Sequence, residues 1–496
     1  MAHWLQRKKN TLLWLALTAV IGGYLTYIQT SAKDKTPLLP GVTTHGHYQI
    51  EMECSACHVN EEKENVFTSS GVSNAACNQC HGEDLTAFSD SHPVRKFRNP
   101  ENAIFLEKID AMSCVACHEE HNQKITQEMG VTIPNDYCAH CHEVTLESLD
   151  SHKELSFLSC ATAGCHNFHD NMALAPSFLT KHYGERDILE APVVPATNAL
   201  QRWLAEGNKE REPVTAENAD APAGKLEAGT ALHDWENSAH ARAGVNCSDC
   251  HDDPKTGAWI EQPGMSFCMT CHETESLDFQ KGKHGMRLAH AGLSPMKPSM
   301  ARQPMHEIAA HAELSCNSCH DPHTVDRQFA AQEACMQCHA DSHTLNYTNS
   351  KHYALWTAEL AGGVKGTGVS CATCHLPRVE RNGEIIVNHN QNDNLTPNEK
   401  MLRNTCMECH GMQFAMDALS DRALIHTNFS GPPTKRHPGM GWAVDTAIAK
   451  GNEELAAIRK YLEAAVDETS EGFIPTDSTS SSQTPNTNET NKTITQ

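Results

Sequence analysis

Every cysteine in this chain belongs to a pair that ends in histidine. Of the 22 cysteines in 496 residues, ten pairs read Cys-x-x-Cys-His, starting at Cys54, Cys77, Cys114, Cys138, Cys247, Cys268, Cys316, Cys335, Cys371 and Cys406. Their second cysteines are Cys57, Cys80, Cys117, Cys141, Cys250, Cys271, Cys319, Cys338, Cys374 and Cys409. The eleventh pair is stretched, Cys160-Ala-Thr-Ala-Gly-Cys165-His166, and no thiol is left over. Positions i, i+3 and i+4 of a helical turn share a face, so two thiols and an imidazole converge on one object. Cys-x-x-Cys-His is the attachment signature of c-type haem, two thiols for the porphyrin and one imidazole for the iron. Structural zinc and disulfides also use paired cysteines, but neither needs a histidine after every second one. The pattern implies eleven covalently bound haems c. The proximal iron ligands are then His58, His81, His118, His142, His166, His251, His272, His320, His339, His375 and His410.

That count shapes the expected fold. Spread over eleven motifs, 496 residues leave about 45 for each, with 6% aromatic residues and few strand patterns. The expectation is a mainly α, multihaem cytochrome c fold with much irregular chain and a haem-packed core. The formal charge of −23 excludes a nucleic-acid partner, which rewards basic surfaces, and suits a redox partner protein with a basic docking face.

At the N-terminus, Arg7-Lys8-Lys9 precede an apolar run from Leu12 to Ile28. Basic residues before an apolar stretch leave the N-terminus in the cytoplasm and send the remainder across. Residues 1–32 therefore read as a membrane helix, with a signal peptide cleaved near Ala32 as the alternative. Either way the body is expected on the periplasmic side of the cytoplasmic membrane.

The motifs fall into two clusters, five between Cys54 and His166 and six between Cys247 and His410. This predicts a five-haem domain over 45–185, a linker over 186–232 rich in Pro, Ala and Glu, and a six-haem domain over 233–468. Asn452 reads as the cap of a helix over 452–467 with Leu455, Ile458, Leu462 and Val466 at helical spacing. The Ser, Thr and Asn-rich tail over 469–496 is expected to be disordered.

Each iron needs an occupant opposite its proximal histidine. Of 32 histidines, 21 lie outside the closing positions; His3 precedes the apolar run and His140 sits inside a motif, leaving nineteen for eleven irons. Those close to a motif are the candidate distal ligands: His92, His121, His152, His169 and His182 in the first cluster, and His240, His290, His306, His311, His323, His343, His352 and His389 in the second. The surplus predicts mostly six-coordinate haem suited to electron transfer.

The second cluster resembles the octahaem superfamily of hydroxylamine oxidoreductase and the cytochrome c nitrite reductases. The likeness rests on Cys316-Asn-Ser-Cys-His320 with Asp321-Pro322-His323, on Cys335-Met-Gln-Cys-His339 with Asp341-Ser342-His343, on Ser350-Lys351-His352-Tyr353, and on Cys371-Ala-Thr-Cys-His375 with Asn388-His389-Asn390. It covers roughly residues 233–430. The resemblance implies that, if one haem is catalytic, it is the one on Cys268, Cys271 and His272, with Asp341 and His343 on its open side. Arg287, Arg302 and His284 would be the positions to hold an anion or supply protons. Ala340-Asp341-Ser342-His343 stands where the family has Gly-Pro-Asp-His, and no Lys replaces a proximal histidine. The sequence therefore favours an electron conduit between the quinone pool, or a quinol-oxidising membrane partner, and a periplasmic acceptor. An oxidoreductase for nitrite, hydroxylamine or a similar small compound is the alternative.

Overall fold

The computed structural model describes residues 2–59, 72–87, 94–107, 109–122, 130–133, 175–190, 194–226, 229–395 and 398–470, with His92, His142, Phe168 and His169. Cys138, Cys141, His152, Cys160, Cys165, His166 and most of the tail lie outside the described residues.

Helix α1 (Ala2–Thr30) runs unbroken through Gly22-Gly23. Its stretch Arg7–Thr30 is 24 residues long with mean hydropathy 1.6, and almost all of it is exposed. At 1.5 Å rise per residue such a helix reaches the roughly 30 Å of a bilayer core. A membrane anchor and a signal sequence both have this form.

Beyond α1 the described chain is mostly short helical pieces. Helix α2 (Asn74–Ala87) carries the second motif, and α3 (Pro176–His182) follows the first cluster. Helix α4 (Cys247–His251) is itself a motif, opened by a capping box between Asn246 and Asp249. Helix α5 (Glu273–Lys281) follows His272, and α6 (Cys371–His375) is another motif, capped by Ser370 with Thr373. Strands β1 (Arg378–Arg381) and β2 (Glu384–Val387) form an antiparallel hairpin, the only sheet among the described residues. Asn382 and Gly383, at φ 54° and 82°, supply the left-handed pair that a tight two-residue turn requires. Helices α7 (Met412–Ser420), α8 (Pro438–Ala449) and α9 (Glu453–Ser470) close the chain.

The largest apolar core lies at this C-terminal end. Met412, Met416, Met440, Val444 and Leu455 are almost fully enclosed and pack with Met401, Leu402 and Leu419. Leu179 of α3 sits in the same cluster, with Phe178 and Tyr183 against it. Residues 176–183, which motif spacing groups with the first cluster of motifs, therefore pack against chain from 401 to 455. Asn452 caps α9 as its sequence implies, its side-chain oxygen accepting from Leu455 N at 3.0 Å. The helix runs to Ser470, past the 467 expected from periodicity.

The two clusters touch through residues 45–53 and 283–302. Arg287 Nη1 donates to the Gln49 carbonyl at 2.5 Å, and the Arg302 guanidinium lies 4.2 Å over the Tyr48 ring. Gly292 accommodates the Glu53 carboxylate where a Cβ would collide with it.

Candidate functional site

Each motif that the described residues contain in full forms by a local bond. The closing histidine's N–H reaches the carbonyl of the first cysteine, as in His58 to Cys54 at 2.8 Å, His118 to Cys114 at 3.0 Å and His272 to Cys268 at 2.8 Å. The same bond closes the motifs of His320, His339 and His410. This single turn sets both thiols and the imidazole on one side, as the i, i+3, i+4 spacing requires.

A second imidazole stands opposite almost every closing histidine. In the first cluster His47 faces His81 with ring centroids 6.0 Å apart, His169 faces His118 at 6.3 Å, and His92 faces His142 at 5.9 Å. In the second, His323 faces His251 at 6.1 Å, His240 faces His272 at 6.2 Å, and His389 faces His320 at 6.3 Å. His284 faces His339 at 6.1 Å, His343 faces His375 at 6.1 Å, and His352 faces His410 at 6.2 Å.

The angles between these rings run from 4° to 89°, while their separation stays within 5.9–6.3 Å. Ordinary aromatic packing couples distance to angle, stacked rings lying closer than edge-on ones. A fixed separation with free rotation is the signature of two rings bonded to one atom between them. Two metal–nitrogen bonds of about 2 Å, plus about 1 Å from each nitrogen to its ring centre, give about 6 Å. The donor set therefore fits haem iron, with two thiols beside each pair.

The rings are oriented from behind, as second partners orient metal-bound imidazoles. His92 Nδ1 donates to the Phe168 carbonyl at 2.8 Å, His240 to Pro322 at 3.1 Å and His343 to Ile425 at 2.6 Å. His251, His389 and His410 are held in the same way by the carbonyls of Ile260, Val387 and Asp187. The β1–β2 hairpin has a positional role here: it delivers His389 just past its second strand, beside an Asn388–Asp393–Asn390 network. His47 differs, donating Nδ1–H to the Glu120 carboxylate at 2.6 Å; Thr44 also donates N–H and Oγ1–H to Glu120.

Burial keeps many of these rings neutral and able to donate a lone pair. Desolvation, with neighbouring imidazoles, pushes His284, His320, His352 and His375 down to about 4. Burial likewise pushes the Cys57 and Cys250 thiols up to about 11, and Cys319 and Cys374 up to about 12.

Consecutive motifs adjoin one another. The thiol of Cys77 hydrogen-bonds with Cys114, Cys268 with Cys316, and Cys335 with Cys371. Cys250 feels the charges of Cys268 and Cys271, Cys319 those of Cys335 and Cys338, and Cys406 those of Cys374 and Cys409. From Cys247 to His410 the six motifs thus form an unbroken line of neighbours in sequence order.

Residues 46–143 and 239–340 each match the cytochrome c3 family. Cytochrome c-552 of Haemophilus influenzae is 25% identical over 185 residues, 29% of this chain and 32% of the relative. The multihaem cytochrome MtrA of Shewanella baltica is 26% identical over 209 residues, 38% of this chain and 55% of the relative. The chain is a multihaem c-type cytochrome. Its paired thiols and closing histidines fit covalently bound haem c; the aligned stretches span from about a third to just over half of these relatives' own lengths.

The geometry redistributes several residues of the cytochrome. The resemblance to the octahaem enzymes puts Asp341 and His343 beside the Cys268 motif. His343 instead faces His375, because Ile425 and Asn428 hold it there, and His240 stands opposite His272. Asp341 caps the helix Ser342–Asn346 by accepting from Thr344 N and Oγ1. Arg287 and Arg302 are engaged with Gln49 and Tyr48, and His284 faces His339. His47 and His284 are absent from the distal set drawn from the sequence. His47 had a usable signal, lying seven residues before Cys54 as His240 lies seven before Cys247.

Among the described residues, His182, His290, His306 and His311 have no closing histidine opposite them. His182 instead donates Nδ1–H to Glu185 at 2.7 Å beside Phe178. His121 Nδ1 donates to the Gly41 carbonyl at 3.0 Å.

Proposed function

We propose that the cytochrome carries eleven haems c, mostly with two axial imidazoles, as an electron conduit on the exported side of a membrane. It would link the quinone pool or a membrane partner to a periplasmic acceptor, with α1 as its tether. The observation that carries this reading is the constant 5.9–6.3 Å separation at nine closing histidines. Haem c supplies a one-electron iron couple whose potential follows its ligands, burial and nearby charge.

The chain's own residues do the rest. Paired imidazoles would hold the iron from both sides and keep small molecules from it. Carbonyl tethers at Nδ1 of His92, His240, His251, His343, His389 and His410 would hold those rings in place through a change of charge. Adjoining thiols of successive motifs keep the cofactor sites in a line. A catalytic reading needs one open axial position, and at Cys268, where the octahaem likeness implies it, His240 stands opposite His272.

A pyridine haemochrome assay with intact mass should return eleven haems, and ten after Cys165→Ala. The ferric protein should be low-spin, and its ferrous form should bind little carbon monoxide. One high-spin haem in eleven, with matching carbon monoxide uptake at Cys268, would replace the conduit with an enzyme.

A further inference from the structure

Ten closing histidines lie among the described residues, and nine face a second imidazole; His58, of the first motif, is the exception. We propose that His121 is the sixth ligand of the iron bound at Cys54, Cys57 and His58.

The first argument is an internal repeat of the ligand circuit. The two segments that match one family, 46–143 and 239–340, each hold four motifs in the same order. In both, the histidine seven residues before the first motif faces the second motif: His47 faces His81, and His240 faces His272. In both, a histidine fifteen or sixteen residues after the start of the second motif faces the fourth: His92, after Cys77, faces His142, and His284, after Cys268, faces His339. In the second segment the histidine seven residues after Cys316 is His323, which faces His251 of that segment's first motif. The residue seven after Cys114 in the first segment is His121, and the corresponding first motif closes with His58.

The second argument is local. His121 Nδ1 donates to the Gly41 carbonyl, the backbone tether also found at His92, His240, His343 and His389. Its backbone is held at φ 62°, a conformation that side chains other than glycine's avoid and that persists only where the surroundings enforce it. Gly41 permits the close approach of this turn, since any Cβ there would run into the His121 carbonyl oxygen. The neighbouring residue, Glu120, is bonded to His47 and its charge acts on Cys57, so this turn lies beside the first motif.

His290 is the rival, because Gly292 meets Glu53 next to Cys54. It has no such tether and no counterpart in the repeat.

The inference rests on the reading that facing imidazoles are axial ligands, and the experiment separates the two. In full-length haem-loaded protein, His240→Ala should turn one haem high-spin by electron paramagnetic resonance, with one equivalent of carbon monoxide bound when reduced. His121→Ala should do the same at a different haem, and added imidazole should restore the low-spin signal; His290→Ala should change neither. If His240→Ala opens no haem, the facing-imidazole reading fails. If it opens one and His121→Ala does not, or if the unmodified protein already has one open haem, only the assignment of His121 fails. His121→Met covers a poorly folding alanine variant: it should stay low-spin and raise the potential of one haem, since methionine ligation does so. A methionine variant with every potential unchanged would also refute the assignment.

Discussion

Replacing Glu120 by glutamine should raise the reduction potential of one haem by about 50–100 mV, a range set by Coulomb energy at protein-like dielectric. Glu120 Oε1 lies 2.6 Å from His47 Nδ1, and His47 faces His81. A metal on the far nitrogen would lie about 4 Å beyond Nδ1, so the carboxylate charge acts from about 6–7 Å. At an effective dielectric of about 20, one charge at that distance contributes about 2.5 kcal/mol, or about 100 mV for one electron. The Glu120 side chain keeps 24% of its exposure, so solvent screening sets the lower end. The sign follows from charge: the carboxylate favours the oxidised iron, and removing it eases reduction. Glutamine can still accept from Thr44 and His47, so the spin state should not change. Potentiometric titration monitored by optical and paramagnetic resonance spectra would measure the shift. A potential unchanged within about 20 mV, or moved downward, would refute the reasoning, because a charge this close cannot vanish without that effect.

Three further outcomes are expected. Burial depresses His284, His320, His352 and His375 from 6.5 to about 4, so the unfolded chain binds their protons first and stability falls as pH drops across that interval. Denaturant unfolding followed by circular dichroism should therefore show lower stability at pH 4 than at pH 6.5; equal stability at the two would count against this. Met416→Ala, at a position with 0% exposure, should cost about 2–5 kcal/mol in denaturant unfolding while leaving the haem count intact. Deleting residues 1–31 should release a membrane-associated protein in soluble form, whereas soluble full-length chain starting near residue 33 would identify α1 as a cleaved signal.

The cysteine motifs were legible because each is a single local turn, closed by one bond between residues four apart. The sixth ligands were only partly so. His323, three residues past a motif, could be picked by proximity, but the closing histidine it faces is His251, 72 residues earlier. Choosing among nineteen histidines depends on tethers such as Ile425 to His343 and Phe168 to His92, which span 82 and 76 residues. Hydrophobic periodicity found α9 but not the role of α3, because Leu179 enters a core whose other members lie beyond residue 400. The likeness of the second cluster to octahaem enzymes picked out Asp341 and His343 for the Cys268 motif, whereas His343 stands opposite His375. Short motifs conserve chemistry, while the fold decides which ring meets which.

The thiol contacts between motifs impose an order on biogenesis. Cys268 and Cys316 share a thiol hydrogen bond, which draws the Cys268 thiol below its ordinary value. In an oxidising compartment an exchangeable disulfide of another protein could take two electrons and two protons from such a pair, and the one disulfide so formed would remove a thiol from each of two attachment motifs. The pairs Cys77 with Cys114 and Cys335 with Cys371 carry the same hazard. Haem ligation must therefore outrun compaction, or a dedicated reductant must hold the nascent polypeptide open until every thioether has formed.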